Sequence, residues 1–158
     1  MDSTDPLCVL RTASDDFVDC VRSLSEEQYL EPMGGWSPRD VVAHLAGWNR
    51  FMIQACRSIL AGEPPAYYLD APNEYANINA SLVARYSSRS REELLGQTAA
   101  SMTEFTAYVG SLKPGDLTAS RGVAHYSGQP ATVEKILRSL AGDYEEHARQ
   151  IRDWFNVG

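Results

Sequence analysis

Cysteine is scarce in these 158 residues: Cys8, Cys20 and Cys56 are odd in number, widely spaced and without a CxxC pair. Such a set reads as reduced thiols in a cytoplasmic protein, each a small apolar residue rather than a nucleophile. Long apolar runs are missing too, since no segment approaches the ~20 apolar residues that a membrane span needs. The opening "MDSTDPLCVL" is acidic and lacks a charged-then-apolar export signal. Positive charge is in deficit. Fourteen Lys and Arg stand against 21 Asp and Glu, a net charge of −7, and the cations are scattered. Phosphates are repelled by that balance, which argues against a nucleic-acid or anionic-membrane partner. There is no internal repeat, low-complexity tract or linker, and almost no period-two patterning. One globular domain over residues 1–158, long enough to bury a core, is the expectation.

What the chain does contain is helical periodicity. Leu7, Leu10, Ser14, Phe17, Val21 and Leu24 are spaced by threes and fours, predicting a helix over about residues 6–23. "SEEQ" at 25–28 has capping-box form and predicts a short extra turn. The second helix has a strong start in "GGWSPRDVVAHLAGWNR": Ser37 suits the N-cap, Pro38 the first helical position, and Asp40 the positive end of the dipole. Its stripe passes through Val41, His44, Leu45, Trp48, Met52 or Phe51, Ala55 and Ile59. A third helical region begins near Asn73 and is interrupted by "SSRSREE", where Ser90 is a second candidate N-cap. Leu95, Thr98, Met102, Phe105, Val109 and Leu112 continue it, and "KPGD" stops it. Residues 114–129 read as loop, with a short strand conceivable in "GVAHYSGQ"; the last helix spans about 130–155. The expectation is an all-α four-helix bundle whose long 61–72 and 113–129 connections cross or cover an end.

Polar residues interrupt two apolar stripes. His44 comes three residues after Val41 and seven before Phe51, so it points inward with them. His147 comes seven after Leu140 and four before Ile151, with Asp143 one turn earlier. Side chains at i and i+4 have Cβ atoms ~5–6 Å apart and can hold one metal ion, and an imidazole from a facing helix completes a set that leaves room for water or substrate. The alternative is a satisfied network, with Asp143 or Asp40 accepting from a His, because an unpartnered buried polar group costs roughly 1–3 kcal/mol. Trp36, Trp48, Trp154, Tyr144 and Phe155 read as core. Tyr67 and Tyr68, in a proline-held loop, suit either a pocket mouth or a bundle cap. His125 with Tyr126 reads as surface loop, the Arg residues of 85–91 as a solvated helix junction, and Glu145 and Glu146 as solvent-facing.

"GWSPRDVVAHLAGW" together with "DYEEHARQI" in the last helix resembles the DinB-like superfamily. "PPAYYLDAPNEYANINASLVARY", followed by "SREELLGQTAASMTEFTAYVGSL", resembles its ClbS/DfsB branch, in which an Asn near Asn79 opens a helix ending in an Arg-Tyr-like pair. The resemblance covers residues 7–155. It implies a bundle of up-down-down-up character, often a homodimer, and a divalent metal such as zinc or nickel held by His44, Asp143 and His147. Asp143 stands where a third His is usual, which changes charge and metal preference. Relatives include thiol transferases and isomerases, and the ClbS-like branch is similar to a self-resistance protein that hydrolyses a cyclopropane electrophile.

Three readings follow. In the first, the protein is an enzyme acting on a small electrophile. His147 is its base or metal ligand, Trp48, Tyr67 and Asn79 bind the substrate, and Tyr68 donates a proton to the leaving atom. In the second, the pocket sequesters a toxic or signalling molecule without turnover. In the third, the polar cluster only fixes helix register.

Overall fold

Side-chain caps decide where five of the six helices begin. In the computed structural model, which describes residues 4–73, 75–125 and 127–158, α1 (Pro6–Arg22) starts behind Asp5, whose carboxylate accepts from the Leu7 and Cys8 amides. The short α2 (Glu26–Leu30) and the long α3 (Pro38–Leu60) carry reciprocal capping boxes, Ser25 with Gln28 and Ser37 with Asp40. α4 (Ala76–Tyr86) is the exception. It follows Tyr75, which has no capping side chain and a left-handed φ of 61°. α5 (Arg91–Gly110) opens on the Ser90–Glu93 box, and α6 (Val133–Phe155) on Thr132. Among the described residues there is no strand, only an isolated bridge between Ala124 and Pro130. No described helix is long and apolar enough to cross a membrane.

Contacts between the helices give their directions. Arg138 on α6 reaches the Thr4 carbonyl just before α1, and Arg152 pairs with Asp16 further along, so α1 and α6 run parallel. α3 meets α6 in the opposite sense, His44 against His147 and Asn49 against Tyr144. α3 and α5 run together, Asn49 bonding Ser101 and Arg57 stacking on Tyr108. The end of α1 meets the start of α5, where Arg91 donates to the Leu24 carbonyl. The result is an up-down-down-up bundle. Its two parallel middle helices force the long 61–90 crossover, which carries a 3₁₀ segment (Ala66–Asn73) and α4.

α3 is the hub. Val42, Ala43, Ile53 and Cys56 are buried along with the stripe, so over residues 41–49 this helix is covered on every side. Gly47 lets α4 lie close: a Cβ there would drive into the buried Leu82 side chain. At mid-height a polar network closes on itself. The Asn49 amide donates to Ser101 Oγ at 2.8 Å, its oxygen accepts from the Tyr144 hydroxyl at 2.9 Å, and Ser101 donates to the Thr98 carbonyl at 3.0 Å.

Several local expectations change. The third helix starts at Ala76 rather than near Asn73, because a 3₁₀ segment takes up the tyrosine-rich loop. The last helix starts at Val133, since Thr132 is its cap. The 114–129 loop contains a 3₁₀ turn at Pro114–Asp116. Trp154 is 51% exposed rather than core. Arg91 is a clamp rather than a solvated cation: it reaches the end of α1, pairs with Glu26 and lies 4.9 Å over the Tyr29 ring. Tyr126 lies outside the described residues.

Candidate active site between α3 and α6

The antiparallel contact of α3 with α6 brings His44 and His147 face to edge, ring centroids 5.4 Å apart and planes at 77°. Both line a cavity of about 370 Å³ that also receives Trp48, Tyr67, Asn79 and Asp143. These six sequence-predicted residues, from α3, α4, α6 and the 3₁₀ segment, therefore share one space. Tyr68 does not line it. It lines a neighbouring cavity of about 440 Å³, where its ring meets His125 at 5.3 Å.

The wall is aromatic. Trp36 packs on His44 at 4.9 Å, and Trp48 meets Tyr67 edge-on at 5.2 Å and Tyr75 at 5.4 Å. The Trp48 indole donates to Asn79 Oδ1 at 2.6 Å, which ties α4 to α3 at the cavity. Tyr75 holds its ring there from a left-handed backbone, a conformation costly for a bulky residue and concentrated at functional sites.

Hydrogen bonding fixes the state of His147. Gln150 donates from Nε2 to Glu146 at 3.1 Å, which turns its amide oxygen toward His147 Nδ1 at 3.2 Å. An amide oxygen only accepts, so Nδ1 carries the proton and Nε2 is the basic nitrogen. Gln150, not Asp143, orients this imidazole. Asp40 is no acceptor for His44 either, because its carboxylate closes the α3 cap on the Ser37 amide at 3.0 Å. His44 is 7% exposed, and its Nδ1 has no partner among the described residues.

Burial is the main influence on all three ionisable groups. It pushes His44 down to about 3, with the nearby His147 adding to the effect and the Asn79 amide opposing it. His147 is lowered by the same desolvation, against the pull of Gln150 and Glu146. Asp143 is wetted by the cavity yet walled in by protein, which raises its carboxyl to about 6. Near neutral pH the site thus offers two neutral imidazoles beside a carboxyl poised to titrate. Perturbed groups gathered in a cleft mark a candidate reactive site.

Neutral imidazoles and a carboxylate are the right donor chemistry for a divalent ion. The spacing is less complete: among the described residues no three His, Cys, Asp or Glu side chains gather closely enough to hold one. Sequence reasoning passed over Gln150, which lies off the apolar stripe, and Tyr75, whose backbone carries no sequence signal. His125 lies in the surface loop that its sequence context predicts, half-buried. The hairpin closed by His125 N to Gln129 O at 2.7 Å folds that ring back onto both cavities.

No curated protein and no solved structure matches this chain. The family model of the DinB superfamily matches residues 10–151, nearly the whole bundle and every residue of the imidazole cavity, and the chain belongs to that superfamily.

Proposed function

We propose that the protein is an enzyme of the ClbS/DfsB-like branch that opens a small electrophile by adding water or a low-molecular-weight thiol. The observation that carries this reading is the pairing of His44 and His147 in one cavity, with the His147 tautomer held by Gln150. His147 Nε2 takes a proton from the incoming water or thiol, which becomes the nucleophile. Its lowered basicity keeps it neutral, and so competent, near pH 7. Asp143, whose carboxyl titrates about 6, returns a proton to the atom that leaves. Trp48, Tyr67 and Asn79 shape the apolar wall that excludes bulk water.

A divalent metal on His44, Asp143 and His147 is the competing arrangement. It would claim the His147 nitrogen that the acid–base reading uses, and the three side chains do not gather closely enough here to hold it. Such an ion would acidify bound water or thiol. Elemental analysis of the protein purified without added metal decides between the two: the acid–base reading expects no stoichiometric metal, and one equivalent, lost in His44→Ala and in Asp143→Ala, would replace it. A metal-free protein whose melting temperature ignores chelator removes the metal and leaves the acid–base reading.

Turnover is tested with epoxides and activated cyclopropanes, each with and without cysteine, by following product. Product formation abolished in His147→Gln supports the enzyme. Saturable binding without product supports the second reading, sequestration, which the rigid ring wall of Trp36, Trp48, Tyr67 and Tyr75 favours.

A further inference from the structure

The imidazole cavity has a neighbour. The second cavity, about 440 Å³, shares Met52, Tyr67, His125 and Ser139 with it, so the two adjoin across a common wall. α6 runs past both. Lys135, Ser139, Asp143 and His147 follow one another at intervals of four, in a row that winds slowly around the helix from the second cavity to the first. Twelve residues of helix separate the ends of this row, about 18 Å along the axis.

The two ends differ in charge. The imidazole end holds Asp143. Among the described residues lining the second cavity none is acidic, and Lys135 is the cation, in a chain whose net charge is −7. Its ammonium donates to the Pro130 carbonyl at 2.7 Å, which anchors it to the loop forming the rim and leaves two N–H groups for a ligand. Burial and the Lys135 charge both hold His125 in its neutral form, so positive charge there belongs to the lysine. Between the ends Tyr67, Met52 and Ile136 give the wall an apolar stretch beside Ser139 and His125.

We propose that the second cavity is a subsite for the carboxylate of an elongated substrate, seated on Lys135, with an apolar middle against Tyr67 and Ile136. The reacting end then lies at His44 and His147; only that placement rests on the proposed function. One ammonium and no guanidinium suit a single negative charge better than a phosphate dianion, which is matched by the arginine fork. Ser139, on the shared wall, supplies a hydroxyl along the path.

The test measures affinities of decanoate, decanol, decylamine and decyl phosphate at pH 8 by calorimetry. Decanoate is expected to bind about tenfold tighter than decanol, the gain typical of a hydrogen bond to a charged group. Lys135→Met should bring the two within twofold of each other, while Lys135→Arg keeps the preference. His147→Gln should leave the preference unchanged, so loss of turnover in that variant is separable from failure of the subsite. Lys135 is exposed, and an unchanged melting temperature confirms that its variants fold. Equal affinity for decanoate and decanol, a preference that survives Lys135→Met, tighter binding of decyl phosphate than decanoate, or no binding of any probe would each overturn the assignment.

Discussion

Asn49 and His44 lie five residues apart on α3, both buried, and the fold treats them in opposite ways. Every polar atom of the Asn49 side chain is used: it links α3 to Ser101 on α5 and to Tyr144 on α6. His44 keeps an unpartnered nitrogen beside a second imidazole, at the edge of a cavity. A closed network adds rigidity and helix register. An open one gives up stability and gains the capacity to bind or react. Asn49, Ser101 and Tyr144 thus form a closed, register-fixing network of their own, separate from the histidine cluster.

Substitutions break this contrast in a graded order. His147→Gln removes the base while keeping a hydrogen-bonding amide; product formation should fall about 10²–10⁴-fold, with the melting temperature nearly unchanged. Asn49→Leu should do the reverse. It removes the acceptor of the buried Tyr144 hydroxyl, while Ser101 keeps its bond to the Thr98 carbonyl, and costs about 1–3 kcal/mol, read as a loss of several degrees in melting temperature with turnover per folded molecule intact. Gly47→Ala lies between the two regions. Its Cβ meets the buried Leu82 side chain, which must move on the helix that carries the Asn79 end of the Trp48–Asn79 bond. The expected cost is about 1–3 kcal/mol, together with a change in Trp48 fluorescence that Asn49→Leu does not show.

The smallest net effect in the unmodified protein is that of pH. His44 falls from 6.5 to about 3 on folding, so between those values the unfolded chain binds a proton that the native one refuses. Its contribution is whole above 6.5 and fades as pH falls toward about 3. Asp143 rises from 3.8 to about 6, so its contribution is greatest below 3.8 and lost as pH climbs through about 6. The two oppose each other in mild acid. His44→Leu should flatten the loss of stability on acidification. Asp143→Asn should raise the melting temperature at pH 7 and steepen the loss between pH 6 and 4. Melting curves across that range check both.

Much of this architecture was legible because caps are local. Ser37-Pro38 with Asp40, Ser25 with Gln28, and Ser90 with Glu93 each satisfy exposed amides within one turn, so neighbouring residues suffice to read them. The inward pointing of His44 and His147 followed from the 3.6-residue period. Asn49 escaped notice because α3 is buried all round over residues 41–49, so a polar residue off the apolar stripe is buried there as well. Gln150 and the role of Arg91 depend on partners brought together by folding. The split between two cavities depends on a hairpin that folds His125 inward, which composition alone reads as loop.

Long-range ¹⁵N NMR of the histidine rings tests most directly whether the two imidazoles share one buried space. His147 should appear as the Nδ1-protonated tautomer. His44 should stay neutral far below 6.5, and its titration should move upward in His147→Gln, because the neighbouring ring helps to hold it down. A His44 that titrates near its ordinary value, with the same curve in wild type and in His147→Gln, would mean that the rings do not meet.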